Sequence, residues 1–472
     1  MSPCEVLPFQ SEDAAFHGRL LALFAEFAIT SHGFLPEETP LERLPDPYYA
    51  PWECLIRRLP ASIEAHTIRA EIDALPMLSA DRLSTVAEWR RACVILAFIA
   101  HGYIWGGDHP SEILPPVITV PLLRVCSRLG LPPVATFASL NLWNFRSASP
   151  TLGFSSLDTI HALHTITGTE DESWFLMVSV AIEAQGAYII PVMLHALEAI
   201  QQDDYPTVTR ALNEMSRCIG KIAALLERMY EKCNPGVFYH RVRTLLAGSW
   251  NMAAAGLPRG VFYDEGNGNG QWRQLRGGSN GQSSLIQFID IVLGVQHSSC
   301  GNSRPEKVTA AGQSRSANCS AGAAAAGFHE EVREYMPEAH RRFLEHVSRI
   351  LPGGIRKVVA DMHLAAAENG ITSDQLEMQN AFQGTIKALA GLRNKHLQIV
   401  ARYIIIPARQ PNDAVTKRVN LATASSSKRT CPMAAAGGQL AELELTGTGG
   451  TALLPFLKQT RDETLIAGAI FF

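Results

Sequence analysis

The sequence predicts an all-α fold, on three observations. Apolar residues recur at helical spacing over long windows: within 207–230, TVTRALNEMSRCIGKIAALLERMY, Leu212, Met215, Ile219, Ile222 and Leu226 share one face. Alternating runs of the strand type are few. Third, in 392–407, LRNKHLQIVARYIIIP, helical steps back and forward from His396 land on Leu389, Leu392, Ile399, Val400 and Tyr403, one continuous apolar stripe.

Taken in order, the first long helix is expected over 84–106, around an apolar run interrupted by His101. A second opens near Phe175 and is kinked or ended by Pro191, whose ring removes an amide donor. Further helices are expected over 197–230, 238–248, 284–293, 330–349 and 379–406. Three stretches are compositionally loose: 260–281, read as a flexible glycine-rich loop, and 298–327 and 410–439, read as surface insertions. A proline-marked seam over 144–151, NFRSASPT, is a candidate domain junction.

The chain has 472 residues, 47% hydrophobic and 18% charged, enough to bury a large core. A net charge of −4 gives no global pull toward nucleic acid or an anionic membrane. The apolar runs 92–105 and 174–190 are short or broken by Glu183 and Gln185, so they read as buried helices and no membrane span is expected. Nine scattered cysteines form no C-x-x-C pair, which argues against zinc ribbons, thioredoxin-like redox chemistry and C-x-x-C-H haem attachment. With an N-terminus lacking a basic signal region, they point to a reduced, cytoplasmic setting.

Short motifs decide little singly. GGSNG at 277–281 fits G-x-S-x-G with Ser279 as nucleophile, but QWRQLR before it is a poor core strand, so a loop is preferred. GTGGT at 447–451 lacks the Lys-Ser/Thr ending of a phosphate loop and reads better as a mobile closing segment. His161 and His164 stand one helical turn apart; without H-E-x-x-H a surface or capping role is favoured over a metal. Ser179, alone among Phe175, Leu176 and Ile182, either bonds back to its own helix or faces a dry cavity. Tyr239 and Arg243 share a helix face, which suits either an anion grip or a solvated arginine. His396 itself is a satisfied core histidine or a ligand.

In combination these segments are specific. LRNKHLQIVARYIIIP, followed by TGTGGT and preceded by GGSNGQSSLIQFIDIVLGVQH and REYMPEAHRRFLEHV, resembles the indoleamine 2,3-dioxygenase family. The resemblance extends through NPGVFYHRVRTLLAGSW, FLMVSVAIEAQGAYIIP, LGLPPVATFASLNLWNF and LPMLSADRLSTVAEWRRACVILAFIAHGYIWG, in the family's order. It implies a two-domain helical haem protein: a small N-terminal domain over 1–144, a linker over 145–160, and a larger haem-binding catalytic domain over 161–472. It also implies non-covalent haem b, L-tryptophan and dioxygen as substrates, N-formyl-L-kynurenine as product at the start of the kynurenine route toward NAD, an electron donor that keeps iron ferrous, and a monomer.

By the same resemblance His396 matches the proximal iron ligand, and Arg393 an arginine that either pairs with a haem propionate or lies on a solvated helix face. Phe137 and Phe175 match the indole pocket, and Ser179 a distal serine that orients rather than acts as a base. The family often has tyrosine at the position of Phe137. Phe238, Tyr239 and Arg243 match two pocket aromatics and a carboxylate-binding arginine, although the second aromatic is usually phenylalanine. Gly277, Gly278 and Ser279 match a segment close to haem and substrate, and Thr448 a mobile-loop threonine that closes over the substrate. The departures at Phe137 and Tyr239, with the 298–327 insertion, motivate one alternative: a haem-binding sensor or signalling scaffold with feeble turnover.

Overall fold

The computed structural model describes residues 14–149, 153–297, 328–409 and 453–469. The expected all-α class is what it shows, with short strands only at the margins. Helix α1 (Ala14–Phe27) leads to α2 (Ala50–Glu64), α3 (Ile68–Asp73) and α4 (Val86–Trp105). A capping box opens α4: Thr85 accepts from the Glu88 amide while the Glu88 carboxylate reaches back. Every residue from Ala92 to Gly102 is buried, so α4 is a central helix without a polar face.

After β1 (Ile113–Leu114) and α5 (Pro116–Leu129), β2 (Phe145–Ser147) pairs antiparallel with β3 (Ile160–Ala162) at the two ends of the stretch expected as a linker. His161 lies on β3 and His164 beyond its end, so the helical spacing assumed for that pair does not occur.

The helix expected to open near Phe175 opens earlier. α6 (Glu170–Gly186) starts at Thr169, whose hydroxyl accepts from the Glu172 amide. Pro191 does not end it; the proline sits in the first turn of α7 (Ile189–Ile200), where its missing N–H has no carbonyl to serve. The single helix expected over 197–230 is likewise broken, into the end of α7, a further helix and the start of a short third. α7 stops at a turn in which Asp203 takes φ 56°, and Asp204 caps α8 (Tyr205–Glu227). α6 and α7 together are long and apolar enough to cross a membrane by length and composition, but most of that stretch is buried inside the protein.

The chain then runs through α9 (Met229–Lys232), α10 (Pro235–Val237), a π-helical turn at Phe238–Val242 and α11 (Arg243–Leu245), in place of the one helix expected over 238–248. The 260–281 segment is not wholly a loop. β4 (Val261–Gly266) pairs antiparallel with β5 (Asn269–Arg273) and parallel with β1. Asn267 and Gly268, with φ 54° and 78°, make the tight turn; the Asn-Gly dipeptide that signals it is masked in the sequence by the surrounding glycines.

α12 (Ser284–Leu293) has the expected bounds, between the Ser283 cap and Gly294 at φ 77°. Pro337 divides the helix expected over 330–349 into α13 (Phe328–Arg333) and α14 (Glu338–Ile350). α15 (Gly354–Asn369) precedes the long α16 (Ser373–Val400), which runs into a π-helical turn at Ala401–Ile405 and α17 (Ile406–Arg409). α18 (Leu453–Gly468) closes the described chain. α16 packs along α8 and α18, and α8 also packs on α6 and α7; this bundle encloses the site. The segments 298–327 and 410–439, expected as insertions, lie outside the described residues.

Candidate functional site

A cavity of about 280 Å³ opens between α6, α8, α16 and α18. The stripe that singled out His396 is one of its walls: Leu389, Leu392, His396, Ile399, Val400 and Tyr403 all line it. Burial pushes the His396 imidazole down to about 4, and the nearby Arg393 charge adds to this, so the ring is neutral at physiological pH. Among the described residues neither ring nitrogen has a hydrogen-bond partner. His101 on α4 is the contrasting case. Its Nε2 accepts from the Ala135 amide at 3.1 Å, which leaves Nδ1 to donate to the Leu245 carbonyl at 2.9 Å. His101 is the satisfied core histidine; His396 is an imidazole with an unused donor atom beside an apolar cavity, the donor set a haem iron takes.

Phe137, Phe175, Phe238, Ser179 and Arg243 line the same cavity. Phe175 and Phe238 meet at 4.9 Å between ring centroids, and Phe238 stands edge-on to Tyr403 at 5.7 Å. The Ser179 hydroxyl does not bond back to its helix; it donates to Asn280 Oδ1 at 3.5 Å. Phe137 is held by Gln282, whose Oε1 accepts from the Phe137 amide and whose Nε2 donates to the Gly277 carbonyl, both at 2.9 Å. No local pattern in the sequence signals that buried staple.

Arg243 is 2% exposed, which replaces the solvated-arginine alternative. Burial lowers its guanidinium to about 10, opposed by Tyr239, and it remains cationic at neutral pH. The guanidinium lies 5.7 Å from the Tyr239 ring. Tyr239 itself is not in the cavity wall but backs Arg243, so its departure from phenylalanine does not alter the lining. The π-helical turn before Arg243 sets its direction. α4 fixes the segment after it: His101 bonds to Leu245, and Trp105 Nε1 donates to the Ala247 carbonyl at 2.8 Å.

Gly278 and Ser279 line the cavity, whereas Gly277 does not. A Cβ on Gly277 would lie 2.5 Å from both the Gly248 nitrogen and the Leu246 oxygen, so this glycine permits a crossing of two backbones. Ser279 accepts from the Gly281 amide at 3.2 Å, and no strand runs into it, since β5 ends at Arg273. The hydrolase reading lacks its strand–turn–helix frame. Thr448 lies outside the described residues.

Arg393 is not on a solvated face. Its Nη2 bonds both oxygens of Asp290 on α12, at 2.6 and 2.7 Å, and its Nη1 bonds Thr464 on α18. His297 joins the cluster, with Nδ1 2.8 Å from Glu463 and Nε2 3.3 Å from Asp290. Burial acts to raise the Asp290 carboxyl, but Arg393 and His297 outweigh it and hold the group well below the usual range. One turn beyond Ser179, burial raises Glu183 to about 7 against a hydrogen bond from Ser283. Among the described residues no group of three or more His, Cys, Asp or Glu side chains is placed to hold a metal ion.

A family model described as indoleamine 2,3-dioxygenase matches residues 23–467. The chain is 37% identical over 441 residues to indoleamine 2,3-dioxygenase nanC of Aspergillus nanangensis, covering 92% of this chain and 94% of that protein. It is 36% identical over 462 residues to an indoleamine 2,3-dioxygenase of Saccharomyces cerevisiae, covering 96% and 95%. It is also 36% identical over 433 residues to 6-hydroxytryptophan 2,3-dioxygenase fscD of Fusarium equiseti, covering 92% and 94%.

Proposed function

The chain belongs to the indoleamine 2,3-dioxygenase family, and from that premise we propose that it is a haem-dependent enzyme inserting dioxygen across the indole C2–C3 bond of L-tryptophan to give N-formyl-L-kynurenine. The observation that carries the reading is His396, a neutral imidazole without a hydrogen-bond partner among the described residues, set in the wall of a largely apolar cavity. These residues fit haem b: His396 would ligate it, and the stripe around His396 would pack on it. When bound, the haem supplies the activation of dioxygen.

The chain's own residues bind and orient. Arg243, buried and still charged, takes the substrate carboxylate through a planar fork. Phe137, Phe175 and Phe238 confine the indole and exclude water. Ser179 offers an orienting hydroxyl; as both C2 and C3 receive oxygen from one molecule, no protein base is needed to balance the reaction. The same proposal takes an electron donor as partner, a cytoplasmic monomer, and a place at the head of the kynurenine route toward NAD.

The sensor or scaffold alternative loses part of its motivation, because Tyr239 stands outside the cavity wall. One experiment tests the reading. Purified protein supplied with haem is expected to show a Soret band that His396→Ala abolishes, and to form N-formylkynurenine from tryptophan with a reductant. Haem uptake without product would favour the scaffold; no Soret band would overturn both.

A further inference from the structure

The cavity wall holds one side chain whose chemistry the binding of an indole does not use. Phe137, Phe175, Phe238, Phe328 and Phe456 give the cavity rings that resist oxidation; among its described lining residues Tyr403 is the only tyrosine, and none is tryptophan. A phenol gives up an electron far more readily than a phenylalanine ring. Tyr403 is 2% exposed, and its hydroxyl donates to the Met229 and Cys233 carbonyls, at 3.0 and 2.7 Å. That hydroxyl is spent on backbone and is not offered to a ligand. Tyr230 is the ring's other neighbour. The two phenols stack at 6.1 Å between centroids, with 23° between their planes. Tyr230 is 37% exposed, and its hydroxyl has no hydrogen-bond partner among the described residues. Two oxidisable rings in sequence therefore join the cavity wall to solvent. The same segment, MYEKC at 229–233, brings two oxidisable sulfurs: Met229 lines the cavity, and the Cys233 thiol is free and buried.

We propose that Tyr403 and Tyr230 form a one-electron relay that carries oxidising charge from the cavity to the surface when peroxide reaches the site without substrate. The inference rests on the reading of this cavity as a haem site. Hydrogen peroxide reduced there takes up two electrons and two protons and leaves as two waters. Each electron comes from Tyr403. Its carbonyl partners cannot take a proton, so the oxidised ring keeps its own and is refilled by an electron from Tyr230. The Arg402 guanidinium lies 4.7 Å from the Tyr230 ring and disfavours a positive charge on it. Tyr230 therefore releases its phenolic proton to water and is left as a neutral radical at the surface. A hydrogen-atom donor, ascorbate or a thiol, restores it. With this exit closed, Met229 and Cys233 beside Tyr403 supply the two electrons instead, each gaining an oxygen from water to become a sulfoxide or a sulfenic acid.

The test treats the haem-loaded full chain with hydrogen peroxide in the absence of tryptophan. Radicals are trapped with a nitrone, and adducts and oxidised residues are mapped by peptide mass spectrometry. In the wild type the adduct is expected on Tyr230. In Tyr403→Phe it is expected to be lost from Tyr230 although that residue is intact, a result that packing alone does not produce. Tyr230→Phe, which keeps the stacked ring, is expected to raise oxidation of Met229 and Cys233 and to shorten the life of the Soret band. Its formation of N-formylkynurenine from tryptophan is expected to be unchanged. Tyr230→Trp restores an oxidisable ring and is expected to return both readouts to the wild-type level. This pair of variants carries the test if Tyr403→Phe does not fold.

An adduct of equal yield on Tyr230 in Tyr403→Phe would overturn the relay. So would equal oxidation of Met229 and Cys233 in the wild type and both Tyr230 variants. Either result leaves the dioxygenase reading intact, because N-formylkynurenine formation is measured separately on the same samples. If no Soret band forms, the haem reading fails first and the relay fails with it.

Discussion

Arg393 and Asp290 form a two-point contact in which one guanidinium nitrogen lies 2.6 and 2.7 Å from the two carboxylate oxygens, tying the helix that carries His396 to α12. Both are largely buried, at 11% and 6% side-chain exposure. Removing the acid strands the cation. Asp290→Ala is expected to cost about 3–5 kcal/mol, read as a loss of urea midpoint at unchanged slope.

The same pair gives a pH signature. The Asp290 carboxyl is depressed, so its contribution is present above the unfolded-state value near 3.8 and is lost as pH falls below it. Wild type is therefore expected to be the more stable at pH 7, with the gap to Asp290→Asn narrowing steadily below about pH 4 in denaturant titrations.

Glu183 behaves oppositely. Its carboxyl is raised from 4.5 to about 7, so the folded protein holds a proton that the unfolded chain releases, and stability falls as pH rises between those values. Glu183→Gln keeps an acceptor for Ser283 and removes the ionisable group. It is expected to flatten that pH dependence and to gain up to about 3 kcal/mol at pH 8 in thermal or urea unfolding.

Arg243 is expected to show in KM rather than in folding. Arg243→Ala removes two charged hydrogen bonds to the substrate carboxylate, each worth about 1.5–3 kcal/mol. Steady-state kinetics should give a KM higher by at least about a hundredfold, with haem absorption retained. Arg243→Lys, a point charge without the fork, should fall between.

Gly277 and Gly278 are neighbours with different roles. A methyl on Gly277 meets backbone at 2.5 Å on two sides and is expected to destabilise the fold, seen as a lower melting temperature and poor yield. A methyl on Gly278 is closest to the Leu140 Cδ1 tip, at 2.3 Å, which can turn. Gly278→Ala is expected to fold and to change substrate kinetics, since Leu140 lines the cavity.

How much of the fold the sequence makes legible depends on local signals. α12 is readable at both ends because Ser283 and Gly294 mark them. α16 shows through its stripe, but its start at Thr372 does not, because 373–378 is mostly polar and only a capping box carries the signal. The β4–β5 hairpin is hidden because glycine density outweighs one Asn-Gly turn, and Pro191 reads as an end where it makes a beginning. In the site, the stripe shows the wall without showing what it faces. Asn141, Asn280 and Gln282 are invisible in the sequence, since their directions depend on a π-helical turn and on loop crossings made by residues far apart in the chain. Asp290 stands out in FIDIVLG as a charge in an apolar helix, but nothing local names Arg393, about a hundred residues on, as its partner.

Three π-helical turns, at Ala138–Leu142, Phe238–Val242 and Ala401–Ile405, deliver Asn141, Phe238 and Tyr403 to the cavity. Such a turn holds one residue more than an α-helical turn, so losing that residue swings every later side chain by about a quarter of a revolution. The pocket of this protein can therefore be remodelled by a change in residue number as well as in residue type. A lineage could exchange one lining for another through single-codon gains and losses, while the helices on either side keep their partners.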